Sequence, residues 1–510
     1  MKKIILSILT ATSVLPLMAQ RYVIVDDDQP ILASEIDRIS YEANPKFHDD
    51  MLMEQLASDP KTSLFTQALR LTGFADSLQS FIFHADYAGH ATNDDFYYRA
   101  DFWNEYASYN PSRPKRYTVF AETDDVYAAE GIITIEQLKA YASKVYDELY
   151  PEDATVSDPT DRRNSLNRFV AYHILPQATS YYYLTVYDGN MLGLCFDRKL
   201  TDIAAWYGTL LPCASLKCSY PDAGADTGLY LNRRGLKAGP DKYGSQVRGA
   251  KIVADDNNNF DHETLNGYYF LIDRILTYDR QTREEVLGGE RWRVDFKTLS
   301  PDIMNNAPEL RGNYLVDDSS SDPDKSGKNG RNISYDWNSI QNITNHCAKP
   351  GQFIHRRAHC NFWSWQGDEV IVQGDFDMTI KLPPLPAGEW EVRMGYCALG
   401  GRAKVKVFLD GQEVVDTLDM TKAYDASNPN MKPGPRECAH FSASGQQQRF
   451  SDTEHLVRFV LGRLQSDGKK ANYLRLQKCQ QADSYNAQGV FDYFEFVPKA
   501  IVDNTAVPEE

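Results

Sequence analysis

Residues 117–125 read Tyr-Thr-Val-Phe-Ala-Glu-Thr-Asp-Asp. The first four positions carry the β-branched and aromatic side chains that suit a half-buried strand, and the polar residues after them end it. Helical patterns flank this strand. Upstream, Leu64, Phe65, Ala68 and Leu69 recur at helical spacing within Ser63 to Leu71, and Gly73 supplies a stop. Downstream, Thr134 and Gln137 form a capping box. Behind it Ile135, Leu138, Ala142, Val145 and Leu149 recur every three or four residues up to Pro151. Asn164 caps a third helix with Leu166, Phe169, Val170 and His173 on one face, ending before Pro176. Tyr181 to Val186, Ile252 to Ala254 and Tyr268 to Ile275 read as further strands, so the region from Ile31 to Tyr278 mixes helix and strand.

The stretch Asp317 to Asn332 contains no apolar residue, which predicts a surface loop or linker. Beyond it the pattern changes to short strands: Val370 to Val372, Met378 to Leu382, Trp390 to Tyr396, Ala403 to Leu409, Leu456 to Leu461, Tyr473 to Leu476 and Tyr493 to Val497. Turn residues such as Pro383-Pro384, Gly400-Gly401 and Asp410-Gly411 separate them, the spacing of a β-sandwich or jelly roll. A chain of 510 residues exceeds what one core supports. The expected organisation is multidomain: an α+β domain over 31–290, a connecting region over 291–345 with its polar loop at 317–332, an all-β sandwich over 346–500 and a tail over 501–510.

The first nineteen residues predict export. Lys2 and Lys3 precede the apolar run Ile4 to Leu17, and Leu17-Met18-Ala19 offers a cleavage site that leaves Gln20 first. No Cys follows for lipid attachment, and no later stretch reaches the ~20 apolar residues of a membrane helix. A formal charge of −17 argues against nucleic acid or an anionic membrane as partner. Export permits disulfides among the eight cysteines, and Cys213–Cys218 and Cys347–Cys360 are the pairs to test first.

Three ordered segments carry a family resemblance. Residues 117–125 are similar to the TVFAPTD segment of the fasciclin family, with Glu122 in place of the proline. Val170-Ala171-Tyr172-His173-Ile174-Leu175-Pro176 resembles the family's central Tyr-His segment. Asn266-Gly267-Tyr268-Tyr269-Phe270-Leu271-Ile272-Asp273 resembles its closing strand. The resemblance implies a β-sandwich wedge with packed helices, no catalytic activity, no cofactor and a role in adhesion. Its motif residues here are Thr118, Phe120, Asp124, Tyr172, His173, Asn266, Gly267 and Asp273. For His173 the apolar helix face favours a packed, hydrogen-bonded side chain over a contact residue. The second half more loosely resembles carbohydrate-binding-like sandwiches in Leu385 to Arg393, Val407 to Gly411 and Phe491 to Pro498.

Trp363 and Trp365, two apart on an expected strand, are the candidate ligand platform, because sugar CH groups stack on such rings. Core packing is the rival reading for each ring. His346-Cys347 with His355 and His359-Cys360 contains zinc-ligand residue types, but the spacing and Arg356-Arg357 favour unrelated side chains or a disulfide. Asp322 to Asn329 imitates the start of a calcium loop but has Ile333 where the closing glutamate belongs. No metal site is therefore expected. Nucleophile-elbow, zincin, phosphate-loop and dinucleotide motifs are all absent. These readings predict an exported, non-enzymatic binding or adhesion protein that recognises a glycan or a cell-surface protein. The alternatives are a polysaccharide-active enzyme carrying a binding module, or a structural envelope component.

Overall fold

The computed structural model describes residues 4–7, 22–25, 31–32, 50–79, 97–100, 105–109, 116–181, 184–185, 203–220, 228–234, 247–306, 332–357, 364–365, 368–398, 400–434, 438–441, 447–448, 455–479 and 487–503. The chain divides into two compact units, Met1–Asp49 and Asp50–Glu510. In the first, Ile4–Ser7, Tyr22–Val25 and Ile31–Leu32 form a small antiparallel sheet, so part of the stretch read as a leader is strand. The rest of this section concerns the second unit. The polar loop at 317–332, apart from Asn332, lies outside the described residues.

Its N-terminal part contains the helices α1 (Leu52–Ser58), α2 (Ser63–Leu71), α3 (Phe74–Leu78), α4 (Asp124–Ala129), α5 (Ile135–Leu149) and α6 (Ser165–Tyr172). Helix α5 starts at the anticipated capping box: Gln137 N–H donates to Thr134 Oγ1 and Thr134 N–H to Gln137 Oε1. Asn164 caps α6 by accepting from the backbone of Leu166 and Asn167. These helices pack against a β-sheet. Its strands run in the order Ile174–Leu175, Tyr117–Glu122, Gly267–Ile272, Ala250–Val253, Tyr230–Leu231, Ser215–Tyr220 and Ile203–Gly208, with His262–Thr264 paired beside Gly267–Ile272. Tyr117–Glu122 and Gly267–Ile272 pair in parallel, and the other pairings are antiparallel. The parallel pair requires glycine at 267. Its φ is +150°, and a Cβ there would lie 1.9 Å from the Tyr117 carbonyl oxygen. Of the strand anticipated over Tyr181 to Val186, the described residues Tyr181, Leu184 and Thr185 lie in no strand, and Leu184 N–H donates to Ser180 O.

The C-terminal part contains two five-stranded antiparallel sheets with a shared core. The first has the order Trp292–Asp295, Tyr493–Pro498, Gly388–Cys397, Leu456–Ser466, Met431–Pro433. The second has the order Ile343–Asn345, Asp377–Lys381, Tyr473–Lys478, Lys404–Leu409, Gln412–Asp419. In the second sheet the side chains alternate. Met378, Ile380, Leu474, Leu476, Val405 and Val407 are buried while the residues between them face outward, and Lys478 is a buried charged residue in phase with Leu474 and Leu476. A six-stranded sheet extends this part: Gln488–Phe491, Asp368–Gln373, Gln352–Arg357, Asn332–Tyr335, Glu105–Tyr109 and Tyr97–Ala100. Both the stretch read as a connection and the N-terminal region thus supply strands to sheets on the C-terminal side. Aromatic rings join the two parts. Trp206 stacks on Trp292 at 5.9 Å, and Trp292 meets Trp390 edge-on at 5.6 Å. The architecture is mixed and dominated by β-sheet, as the sequence predicts at the level of class. Among the described residues no helix is long and apolar enough to cross a membrane.

Candidate functional site

The family-motif residues of the N-terminal part hold the fold together. His173 is fully buried at the end of α6. Its Nδ1 lies 2.7 Å from the Phe169 carbonyl, and its Nε2 lies 2.8 Å from Glu122 Oε1. Facing a carbonyl, Nδ1 carries the hydrogen of that bond, and Nε2 is the ring atom turned to Glu122. Leu276 N–H also donates to Glu122 Oε1, and Tyr127 Oη donates to Oε2, each at 2.8 Å. Burial first, and then the neighbouring Glu122, push the Tyr127 phenol well above its ordinary pKa. Tyr172 Oη donates to Ser215 O and accepts from Asn232 Nδ2, both at 2.9 Å.

The other motif residues act similarly. Thr118 Oγ1 donates to Gln177 O and accepts from Thr179 N–H. Phe120 stacks on Phe270. Asp124 accepts from the Ser63 hydroxyl and from Leu64 N–H, capping α2 across sixty residues of chain. Asn266 links α1 and α3 by accepting from Leu52 N–H and donating to Leu78 O. Asp273 accepts from both terminal guanidinium nitrogens of Arg248 and from Lys251 N–H. Six of these eight residues are buried, and Asp124 and Asp273 are half-buried.

The C-terminal part offers a solvent-facing surface instead. Across the second sheet, Thr344, Thr379, Arg475, Phe408 and Glu413 stand opposite one another in a row. Strand neighbours lie ~4.8 Å apart, so the row spans roughly 19 Å. Arg475 makes two 2.6 Å bonds to Asp377, Gln477 donates to the same carboxylate, and the guanidinium sits 5.0 Å from the Phe408 ring centre. Beside them Tyr473 is 44 % exposed. The surface therefore carries aromatic faces among side chains fixed by ion pairs, a combination that can stack a sugar ring and hydrogen-bond its hydroxyls.

Trp363 lies outside the described residues. Trp365 belongs to the short strand Ser364–Trp365, which pairs with Cys438–Phe441. His346 is placed at the second sheet, with Nε2 2.9 Å from Thr379 Oγ1, and His355 is buried in the six-stranded sheet. His359 and Cys360 are outside the described residues, as are Asp322 to Asn329. No group of three or more metal-ligating side chains occurs among the described residues. The anticipated Cys213–Cys218 pair is corrected: no disulfide joins the two residues. Cys218 is buried in its strand, and Cys213 occupies a turn with φ +58°.

Sequence reasoning missed three features. Glu122 is legible only as a replaced proline, although it is the hub of the His173 network. The platform could have been read from the alternation in Lys404–Leu409 and Tyr473–Lys478. The third is a buried cluster on the first sheet, where Arg293, Arg393 and Arg458 all bond Glu495. Burial opposes its charge, yet Arg458, Arg293, Arg291 and Arg393 together hold its carboxyl well below the ordinary range.

No protein-family model and no curated protein matches the chain. Solved structures give weak likenesses. A Paenibacillus xanthan lyase is 12% identical with a TM-score of 0.21, covering 32% of this chain and 13% of its own. A family 35 carbohydrate binding module from Clostridium thermocellum is 9% identical with a TM-score of 0.15, covering 32% of this chain and 96% of its own. A FAS1 domain pair from the insect cell adhesion molecule fasciclin I is 11% identical with a TM-score of 0.17, covering 51% and 83%. The chain covers under a third of the lyase and of a Podospora anserina mannanase. At these scores none of them fixes the fold. They do correct one expectation. The set includes a lyase, a mannanase, two glucuronidases and a glucanase, so the non-enzyme reading is withdrawn. It rested on missing motifs, and glycoside hydrolysis needs only two carboxylates brought together in space.

Proposed function

We propose that this is an exported, glycan-directed protein. A leader over residues 1–19 precedes a fasciclin-like domain over 31–290 and a carbohydrate-recognising sandwich over 346–500. The observation that carries the reading is the outward face of the second sheet, where Tyr473 is exposed beside Phe408, Arg475, Asp377 and Gln477 in fixed register. A glycan chain would lie across the strands, stacking on Tyr473 and bonding the polar groups along the row. Trp363 and Trp365 are proposed as a second contact on the same part of the chain. The N-terminal motif residues serve the fold rather than ligand contact, because the Tyr172 and His173 side chains are fully buried.

The test is a glycan panel assayed for binding and, on the same samples, for release of reducing ends. Tyr473→Ala should weaken binding by about 1–3 kcal/mol, roughly 5- to 150-fold, without lowering the melting temperature. Unchanged binding in Tyr473→Ala and in Trp365→Ala would remove the platform. Release of reducing ends would make the chain a polysaccharide-active enzyme, the alternative already named.

A further inference from the structure

The outward face of the second sheet carries the basic side chains Lys381, Lys404, Lys406 and Arg475, and its own carboxylates neutralise all but the first. Arg475 is held by Asp377, Lys406 by Asp416 at 2.8 Å and Glu413 at 3.6 Å, and Lys404 by Asp419 at 3.1 Å. Lys381 differs. Its side chain is exposed at the end of Asp377–Lys381, and its ammonium has no carboxylate within ion-pair distance among the described residues. Lys381 and Tyr473 are directly opposite each other on antiparallel neighbours, so both project from the same face. On the other side of Tyr473 stands Asp410, whose N–H donates to Tyr473 O at 2.9 Å. The Asp410 carboxylate accepts from Tyr473 N–H at 2.7 Å and from Asn472 Nδ2 at 2.8 Å. The exposed ring is thus flanked by an ammonium without a counter-charge and by an anchored carboxylate, with one strand spacing of ~4.8 Å on each side.

We infer that Lys381 makes this platform selective for acidic glycans. A sugar stacked on Tyr473 turns its anionic group, a uronate carboxylate or a sulfate ester, to the Lys381 ammonium. The inference rests on the glycan-directed reading of the platform and adds the charge class of the sugar. A neutral sugar gains stacking and hydroxyl bonds here. An anionic one also gains a charge-assisted bond to a donor that no carboxylate of the sheet already holds. Asp410 gives the site a direction. Its like charge disfavours an anion at its own end of the ring, so the acidic group lies on the side toward the edge strand Ile343–Asn345. The net charge of −17 opposes an acidic polymer at long range, but screening at physiological salt limits that repulsion to about 8 Å, so the charges at the contact decide.

The full chain is titrated calorimetrically with oligogalacturonate and a sulfated galactan oligosaccharide, each beside its neutral counterpart, the methyl ester and the desulfated galactan. At least one acidic ligand should bind about fivefold or more tightly than its neutral counterpart, with the preference shrinking as salt rises. Which pair shows it tells a carboxylate from a sulfate ester. Lys381→Met should bring the acidic ligand down to its neutral counterpart and leave the latter within about twofold, while Lys381→Arg should keep the preference. Because Lys381 is exposed and holds no carboxylate, both variants should melt within about 1 °C of the parent. Acidic and neutral ligands bound equally, or a preference that survives in Lys381→Met, would overturn the inference. So would a Lys381→Met variant that melts well below the parent, which would reveal a structural lysine. If acidic and neutral ligands bind equally and Tyr473→Ala weakens both, the platform stands and only its charge selectivity falls. If no glycan binds and Tyr473→Ala changes nothing, the platform falls and the selectivity with it.

Discussion

Replacing Glu122 probes the N-terminal core most directly. Its carboxylate meets three groups at 2.8 Å each: His173 Nε2, Leu276 N–H and Tyr127 Oη. In Glu122→Gln one oxygen becomes an amide donor. If that donor faces His173, Leu276 N–H is orphaned. If it faces Tyr127, His173 Nε2 loses its carboxylate. Either way two of the three contacts survive, and one buried polar group left unmatched costs about 1–3 kcal/mol. Glu122→Ala removes both acceptor oxygens and with them all three contacts from a fully buried site, and breaking such a pair costs about 3–5 kcal/mol. Urea unfolding followed by far-UV circular dichroism, at constant m-value, measures both variants. The expected order is parent, then Gln, then Ala, with about 2 kcal/mol between the variants. A Gln variant within about 0.5 kcal/mol of the parent, or equal losses in both, would refute the hub.

Two further outcomes follow from the structure. Glu495 has a folded pKa depressed below the unfolded glutamate value of about 4.3, so its contribution is complete above that pH. It declines as pH falls below about 4; unfolding free energies between pH 7 and 3 should show this slope, and Glu495→Gln should flatten it while costing about 3–5 kcal/mol at neutral pH. Gly267→Ala drives a methyl into the Tyr117 carbonyl at a positive φ, and should cost more than about 3 kcal/mol in the same unfolding assay; a loss under 1 kcal/mol would mean that the parallel pair can shift.

Local patterns in the sequence were reliable where neighbouring residues decide the outcome. The caps at Thr134 and Asn164, the alternation in Lys404–Leu409 and the burial of His173 all depend on residues within one or two turns. Features set by distant partners were not legible. Trp292 becomes a sheet residue because its strand pairs with Tyr493–Pro498, some two hundred residues away. Glu122 becomes a hub because α6 and the backbone at Leu276 both reach it. Cys213 and Cys218 are close in sequence, but a left-handed turn at one and a buried strand position at the other keep them unbonded. The Tyr473 platform lies between these cases. Its alternation is local, but its row of partners exists only once four other strands assemble beside it.

The three tryptophans at the joint also constrain how such a chain can be inherited. Proteins built from interchangeable modules tolerate a recombination breakpoint between them, because little packs across the boundary. Here Trp292 follows the N-terminal motifs in sequence, stacks on Trp206 from that side, and meets Trp390 on the other. A crossover near residue 290 would bring together rings selected in different ancestors, and a mismatch of one ring would open a void between the two parts. Trp206, Trp292 and Trp390 should therefore change as a set over evolutionary time, with the two parts passed on as one gene segment.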